Sequence, residues 1–288
     1  MNGVRHNEPM SKHTSWRLGG PVDRYFKPSS LDELAGFLAD LDRDEPVYFT
    51  GLGSNLLVRD GGIRGVVINP IKALNDVERI EPAGVQAGAG VACTILARRC
   101  AVWGLGPSDF FAGIPGTVGG ALKMNAGAFG GETWDSVTEV DTIDRDATVR
   151  TRPKSDFDIS YRHVEGVQDE WFIAARFEFE QGEEHTLERV KALMQERQEK
   201  QPLGLPSCGS VFRNPPGAFA AQLIESAALK GHRIGGAMVS EKHANFIINT
   251  GDATAADVES LIDHVRDVVA DQHGIRLDLE VHIVGEPS

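Results

Sequence analysis

Two periods organise the hydrophobic and polar positions of this chain. Leu34, Phe37, Leu38 and Leu41 recur at helical spacing behind Ser30-Leu-Asp-Glu33, a capping-box pattern, and together they predict an N-terminal helix. Thr186 opens a second stretch with Leu187, Val190, Leu193 and Met194 on one face. A third helix is expected over residues 254–272, capped by Thr254, carrying Val258, Leu261, Ile262, Val265, Val268 and Val269, and stopped by Gly274. Short β-like runs cover residues 47–50, 63–68, 137–143 and 171–179. The charged, proline-bounded residues 195–206 read as a connector to a C-terminal unit. That unit is expected to run helix (218–229), strand (245–249), helix (254–272) and strand (277–284). Such an order makes the fold α+β, not a regular βαβ alternation.

Composition narrows the class. The 288 residues are 41% hydrophobic and 25% charged, which suits a globular chain with a sizeable core. A formal charge of −13 works against non-specific binding to nucleic acid or anionic membrane, so a polyanionic ligand would be held by local cations and backbone amides. The three cysteines, Cys93, Cys100 and Cys208, form no C-x-x-C pair, and a reducing compartment is the expectation. The polar start lacks the apolar core of a secretory signal, and no apolar run is long enough to cross a bilayer, so a cytoplasmic location is expected. The nine histidines contain no H-E-x-x-H or close pair, and no metal centre is expected.

The 32 glycines are clustered in two dense patches, Thr50-Gly-Leu-Gly-Ser-Asn55 and Gly113-Ile-Pro-Gly-Thr-Val-Gly-Gly120, the latter continuing to Gly130-Gly131. Glycine permits positive φ and leaves out the Cβ, so successive N–H groups can converge on an anion. The dinucleotide fingerprint does not fit: Gly51-x-Gly53 lacks its third glycine and is followed by strand and turn, not by a helix. Gly88-x-Gly90 ends in Cys93 where the third glycine would stand, and no G-x-x-x-x-G-K-S/T is present. A single glycine pair would be read as a tight turn. Two patches with Ser54, Asn55, Thr117 and Asn125 beside them read better as a ligand cradle.

Ten phrases then occur in order. They are His13-Thr-Ser-Trp-Arg-Leu-Gly-Gly-Pro21, Thr50-Gly-Leu-Gly-Ser-Asn-Leu56, Gly113-Ile-Pro-Gly-Thr-Val-Gly-Gly120, Met124-Asn-Ala-Gly-Ala-Phe-Gly-Gly-Glu132, Ser160-Tyr-Arg-His163, Lys200-Gln-Pro-Leu203, Ser207-Cys-Gly-Ser-Val-Phe-Arg-Asn-Pro215, Leu229-Lys-Gly231, Ser240-Glu-Lys-His-Ala-Asn-Phe246 and Leu279-Glu-Val281. Together they resemble the UDP-N-acetylenolpyruvoylglucosamine reductase (MurB) family in its shorter, type II form, from about His13 to Gly285. The resemblance implies an α+β fold: a bipartite FAD-binding region of the vanillyl-alcohol-oxidase type over residues 1–200 and an α+β substrate-binding domain over residues 201–288. It implies non-covalent FAD, NADPH as co-substrate and a UDP-sugar substrate whose enolpyruvyl group is reduced in peptidoglycan precursor synthesis. A flavin oxidase or dehydrogenase on the same fold is the rival reading, and a catalytically silent flavin- or nucleotide-binding module is the other.

The resemblance also implies site residues. Arg162, Ser210 and Glu280 match the catalytic three: an arginine for a carboxylate that gains charge, a serine that delivers a proton, and a glutamate beside the intermediate. On their own residues these stay open: Ser210 as a turn serine after Pro206, Arg162 as a surface or packing residue, Glu280 on the polar face of an alternating strand. The FAD contacts implied are Gly51, Gly53, Ser54, Asn55, Ile114, Pro115, Gly116, Gly119, Gly120 and Gly127. Tyr161, Lys200 and Asn214 would contact the substrate, with Lys230, Arg233 and Lys242 as further cations. Three positions depart from the family pattern: Val164 replaces a serine, Cys208 fills a small-residue position, and Ala228 stands where glycine is usual.

Overall fold

Ser30 begins the first helix as the pattern predicts. Its Oγ accepts the Glu33 N–H at 3.2 Å and the helix runs Leu31–Ala39. The Glu33 carboxylate reaches back one residue further than a capping box, to the N–H and Oγ of Ser29. The computed structural model describes residues 3–288, which divide into two units. One holds Tyr25–Gly51 and Val66–Arg197. The other holds Arg5–Arg24, Leu52–Gly65 and Gln198–Ser288.

In the first unit, Leu34, Phe37 and Leu38 pack with Phe26, Val66, Ile68, Ile143 and Ile173, all buried. Beside them Val47–Phe49 pairs in parallel with the strand Ile63–Ile68 at Val47↔Val66. The main sheet is antiparallel, in the order Val149–Pro153, Val137–Asp144, Glu170–Glu178, Gly84–Gly88, Val77–Ile80. Val85, Ala87, Val140, Ala175 and Phe177 lie in one core with Leu96 and Cys100 of the helix Cys93–Trp103 and with Val118 and Leu122 of the helix Val118–Met124. Two short hairpins rise from this frame. Gly127–Ala128 and Gly131–Glu132 are joined by Phe129 and Gly130, both at positive φ. Asp158–Ser160 and His163–Glu165 are joined by Tyr161 and Arg162.

The second unit is centred on the helix Ala255–His273, which runs one residue beyond the expected end. Thr254 and Asp257 form a reciprocal capping box, and Gly274 closes the helix at φ 66. Val258, Leu261, Ile262, Val265 and Val269 face a core with Trp16, Leu57, Phe212, Ile224 and Val239. A small sheet, Arg233–Ile234, Ala237–Val239 and Ile247–Asn249, lies in this unit, as does a parallel pair of Leu56–Val58 with His282–Val284.

The α+β class is the one expected, but several elements differ from the sequence pattern. Residues 195–200 are helix, since Leu187–Lys200 continues through them with only Val190 and Arg197 buried. The helix expected over 218–229 spans Ala220–Ser226, because Ala227 caps it and Ala228 turns into the left-handed region at φ 57. The last strand is reduced to His282–Val284. Upstream of it, Leu277 and Val281 are buried and Asp278 is exposed, Leu279 and Glu280 are both half-buried, and Leu279 forms a single bridge, to Phe212.

Candidate active site

The first glycine loop is shaped by close backbone approach. A Cβ on Gly51 would collide with Thr117 Oγ1, and the Asn69 amide donates to the Gly51 carbonyl at 2.8 Å. In the second unit Gly53 sits at φ 63, where a Cβ would strike the His13 carbonyl, and its own carbonyl accepts the Ser15 N–H at 3.0 Å. The His13-to-Gly20 phrase therefore serves as the wall of this loop. Trp16, fully buried, locks that wall by donating from Nε1 to the Ile247 carbonyl at 2.7 Å. Cys208 lies against the same loop with Sγ 3.5 Å from the Gly53 carbonyl. Burial pushes its thiol up to about 12, so it is a packing residue and not a nucleophile.

The backbone N–H groups of Leu52, Gly53 and Ser54 find no acceptor among the described residues. In the first unit the same holds for Gly116 and Thr117, whose neighbours are paired: Cys93 N–H bonds the Gly116 carbonyl and Val118 N–H the Val91 carbonyl. Ile114 is buried and Pro115 exposed; Gly119 is required by Ala89, whose Cβ a new Cβ would approach to 2.9 Å. Gly120 is exposed, with nothing nearer than Thr117 Oγ1 at 3.8 Å, so packing does not explain its glycine. Glycine turns that present unpaired N–H donors are what a dinucleotide pyrophosphate needs in an acidic chain. These residues fit FAD.

Arg162 occupies the second turn position of its hairpin at φ 55, a left-handed conformation that costs a non-glycine residue about 1 kcal/mol. Its Nη2 donates to the Gly127 carbonyl at 2.9 Å and its Nη1 to the Asn125 carbonyl at 3.2 Å, with Glu132 Oε1 at 3.5 Å. The guanidinium also lies 4.8 Å from the centre of the half-exposed Tyr161 ring. Asn125, at φ 42 and buried, knits the surroundings. Its amide donates to Glu132 Oε2 and the Ser160 carbonyl, and its Oδ1 accepts the Trp134 N–H. Val164, two residues on, is 5% exposed and packs into the core of this unit, where its apolar side chain is in place.

In the other unit the segment that carries Ser210 pairs with the segment that carries Glu280, with Glu280 opposite Val211. Glu280 N–H donates to the Val211 carbonyl at 2.8 Å and Arg213 N–H to the Asp278 carbonyl at 2.9 Å, around the Phe212–Leu279 bridge. Gly209, at φ 71 with open space where a Cβ would be, turns the chain into Ser210. Asn55 joins the glycine loop to this pair by donating to the Glu280 carbonyl at 2.8 Å. Asn245, to which the sequence pattern assigns no role, braces the other side: its Oδ1 accepts the Phe212 N–H and its Nδ2 donates to the Phe212 carbonyl. A buried asparagine inside an apolar run was the available signal.

The remaining candidates are placed as follows. Asn214 is exposed and its Oδ1 caps the helix Ala220–Ser226 by accepting the Ala220 N–H. Lys200 ends its helix, exposed. Lys230 is paired with Glu225 at 2.6 Å, Lys242 donates to the Gln198 carbonyl, and Arg233 is exposed.

Comparison with known proteins agrees with these phrases. Residues 22–152 match the profile of an FAD binding domain, and residues 201–284 that of the UDP-N-acetylenolpyruvoylglucosamine reductase C-terminal domain. The UDP-N-acetylenolpyruvoylglucosamine reductase of Alkalilimnicola ehrlichii is 58% identical over 98% of this chain and 95% of its own. The chain belongs to the UDP-N-acetylenolpyruvoylglucosamine reductase family. The member from Methylococcus capsulatus is 54% identical over 97% of this chain and 92% of its own. The crystal structure of the reductase (MurB) from Thermus caldophilus superposes with a TM-score of 0.82 at 29% identity, covering 98% of both chains. In this family setting the glycine loops belong to an FAD-binding chain. Among the described residues, no helix is long and apolar enough to cross a membrane.

Proposed function

We propose that this chain uses NADPH to reduce the enolpyruvyl group of UDP-N-acetylglucosamine enolpyruvate, giving UDP-N-acetylmuramate, in peptidoglycan precursor synthesis in the cytoplasm. Residues 1–200 form the FAD-binding region and residues 201–288 the substrate-binding domain. FAD, bound non-covalently, would supply the hydride chemistry that links NADPH oxidation to reduction of the enolpyruvyl double bond at its β-carbon. The residues Gly51, Gly53, Ser54 and Asn55 and Ile114, Pro115, Gly116, Gly119, Gly120 and Gly127 hold it, and the N–H groups of Leu52, Gly53, Ser54, Gly116 and Thr117 are its pyrophosphate donors. The charge that moves into the substrate carboxylate is met by the Arg162 fork, which suits a planar anion. Ser210 Oγ delivers the proton to the α-carbon, and Glu280 shares a proton with the enolate-like oxygen. Tyr161, Lys200 and Asn214 contact the substrate.

One observation carries this reading beyond family membership. Its support is that Glu280 N–H bonds the carbonyl of Val211, the residue that follows Ser210, so the two segments proposed to manage the proton are paired within one unit. The test is an absorbance spectrum of the purified protein, then anaerobic bleaching by NADPH and reoxidation by UDP-N-acetylglucosamine enolpyruvate. Bleaching followed by substrate-dependent recovery is expected. A colourless protein that takes up no FAD, or fast oxygen turnover without response to the sugar nucleotide, would overturn it.

A further inference from the structure

The hairpin that carries Arg162 is tied to a carboxylate that the proposed chemistry does not use. Glu132 is fixed from two sides before it meets the arginine. Its side chain accepts the Asp135 N–H while the Asp135 carboxylate accepts the Glu132 N–H, and its Oε2 accepts the Asn125 amide at 2.8 Å. That leaves Oε1 facing Arg162 Nη1 at 3.5 Å. The same guanidinium is held by the carbonyls of Asn125 and Gly127, and a Cβ on Gly127 would press to 3.3 Å from Nη1. The arginine side chain is 14% exposed and the glutamate 33%, so the pair is partly shielded from solvent.

We propose that Glu132 is a positioning residue: it orients the Arg162 guanidinium toward the substrate carboxylate and acts on the reaction only through that arginine. The proposal rests on the reading of Arg162 as the group that meets this carboxylate. A guanidinium already restrained by two carbonyls and a carboxylate needs little rearrangement when charge develops in front of it, the condition under which a preset dipole or charge lowers a barrier. The strained backbone at Arg162 fits the same purpose, since φ 55 is kept there at a cost. In Glu132→Gln the amide oxygen still serves Asn125 or Asp135, but its NH2 faces Nη1, donor against donor. The guanidinium then gives up that side, while the volume of the residue is unchanged.

The experiment is a double-mutant cycle on the holoenzyme with E132Q, R162K and E132Q/R162K, following the two half-reactions separately by stopped flow. Flavin content, the thermal midpoint and the rate of flavin reduction by NADPH are recorded for each. E132Q is expected to keep its flavin and to reduce at close to the wild-type rate, while reoxidation by the enolpyruvyl sugar nucleotide slows on the order of tenfold. R162K slows that step more, and the double variant is no slower than R162K alone. Multiplying effects in the double variant overturn the proposal. So does an E132Q protein that reoxidises at the wild-type rate while R162K is slow, or one in which both half-reactions slow together. An R162K protein that reoxidises at the wild-type rate overturns instead the assignment of Arg162 on which the proposal rests.

Discussion

Asn55 donates from its side-chain amide to the carbonyl of Glu280 at 2.8 Å, and its own carbonyl accepts the His282 N–H at 3.0 Å. One asparagine thus fastens the first glycine loop to the segment bearing the proposed catalytic glutamate. Replacing it with alanine leaves a part-buried carbonyl short of a donor, a loss of about 1–3 kcal/mol. Asn55→Ala is expected to lower the unfolding free energy by that amount, and to weaken FAD retention together with turnover. Thermal unfolding and the flavin-to-protein absorbance ratio check it. A variant that loses turnover with unchanged stability and flavin content would contradict the anchoring role.

Ser210 supports a sharper separation. If its hydroxyl is the proton source, Ser210→Ala should leave flavin uptake and reduction by NADPH intact and slow reoxidation by the sugar nucleotide by roughly 10² to 10⁴-fold. Val211 and Phe212, immediately after it, are held by Asn245 and by Glu280, so the backbone should not shift on removal of one oxygen. Turnover within twofold of wild type would remove Ser210 from the mechanism.

Legibility in the sequence followed the range of the interactions. The helix Ala255–His273 was readable because its cap, apolar stripe and stop are all local. The strand Ile63–Ile68 was readable as an apolar run. The helix Cys93–Trp103 was not singled out: its cap residue Ala92 offers no side-chain hydrogen bond, and Arg98 and Arg99 interrupt the pattern. Residues 195–200 read as a connector because a helix with so few buried positions leaves little apolar period to read. In the site, the glycine loops could be seen as a cradle. The partners that shape them, Thr117 for Gly51 and His13 for Gly53, could not, because they are distant in sequence. Glu132 and Asn245 carry no sequence signal of their roles for the same reason: their bonds reach residues far along the chain.

Ala228 holds a left-handed turn at a conformational cost. It is exposed and sits at φ 57 just after the helix Ala220–Ser226, in a conformation that glycine adopts freely and alanine does not. Ala228→Gly should therefore stabilise the protein by about 1 kcal/mol, partly offset by the greater freedom of glycine in the unfolded chain. A rise in the thermal midpoint of about 2–4 °C with unchanged kinetics is the expected result. A fall in the midpoint would show that the left-handed turn is not retained in solution.

Asp257 gives the clearest expected dependence on pH. It accepts the Thr254 N–H at 3.0 Å and the Gly236 N–H at 3.2 Å, and the first of these bonds holds its carboxyl below the usual aspartate value. A carboxylate whose pKa is lowered on folding adds stability that is fully present above the unfolded value near 4. That contribution is lost as pH falls through the lower, folded value. Wild type should thus lose this contribution only under acid conditions and keep it unchanged from about pH 5 upward. Asp257→Asn removes the titrating group and the charged acceptor while keeping a side-chain oxygen. It should be less stable than wild type at neutral pH by about 1 kcal/mol, the usual worth of a helix cap. The gap should close on acidification. Denaturant titrations of both proteins at pH 7 and near pH 3 measure it directly, and a gap that stays constant between the two would mean that the Asp257 charge contributes nothing to the cap.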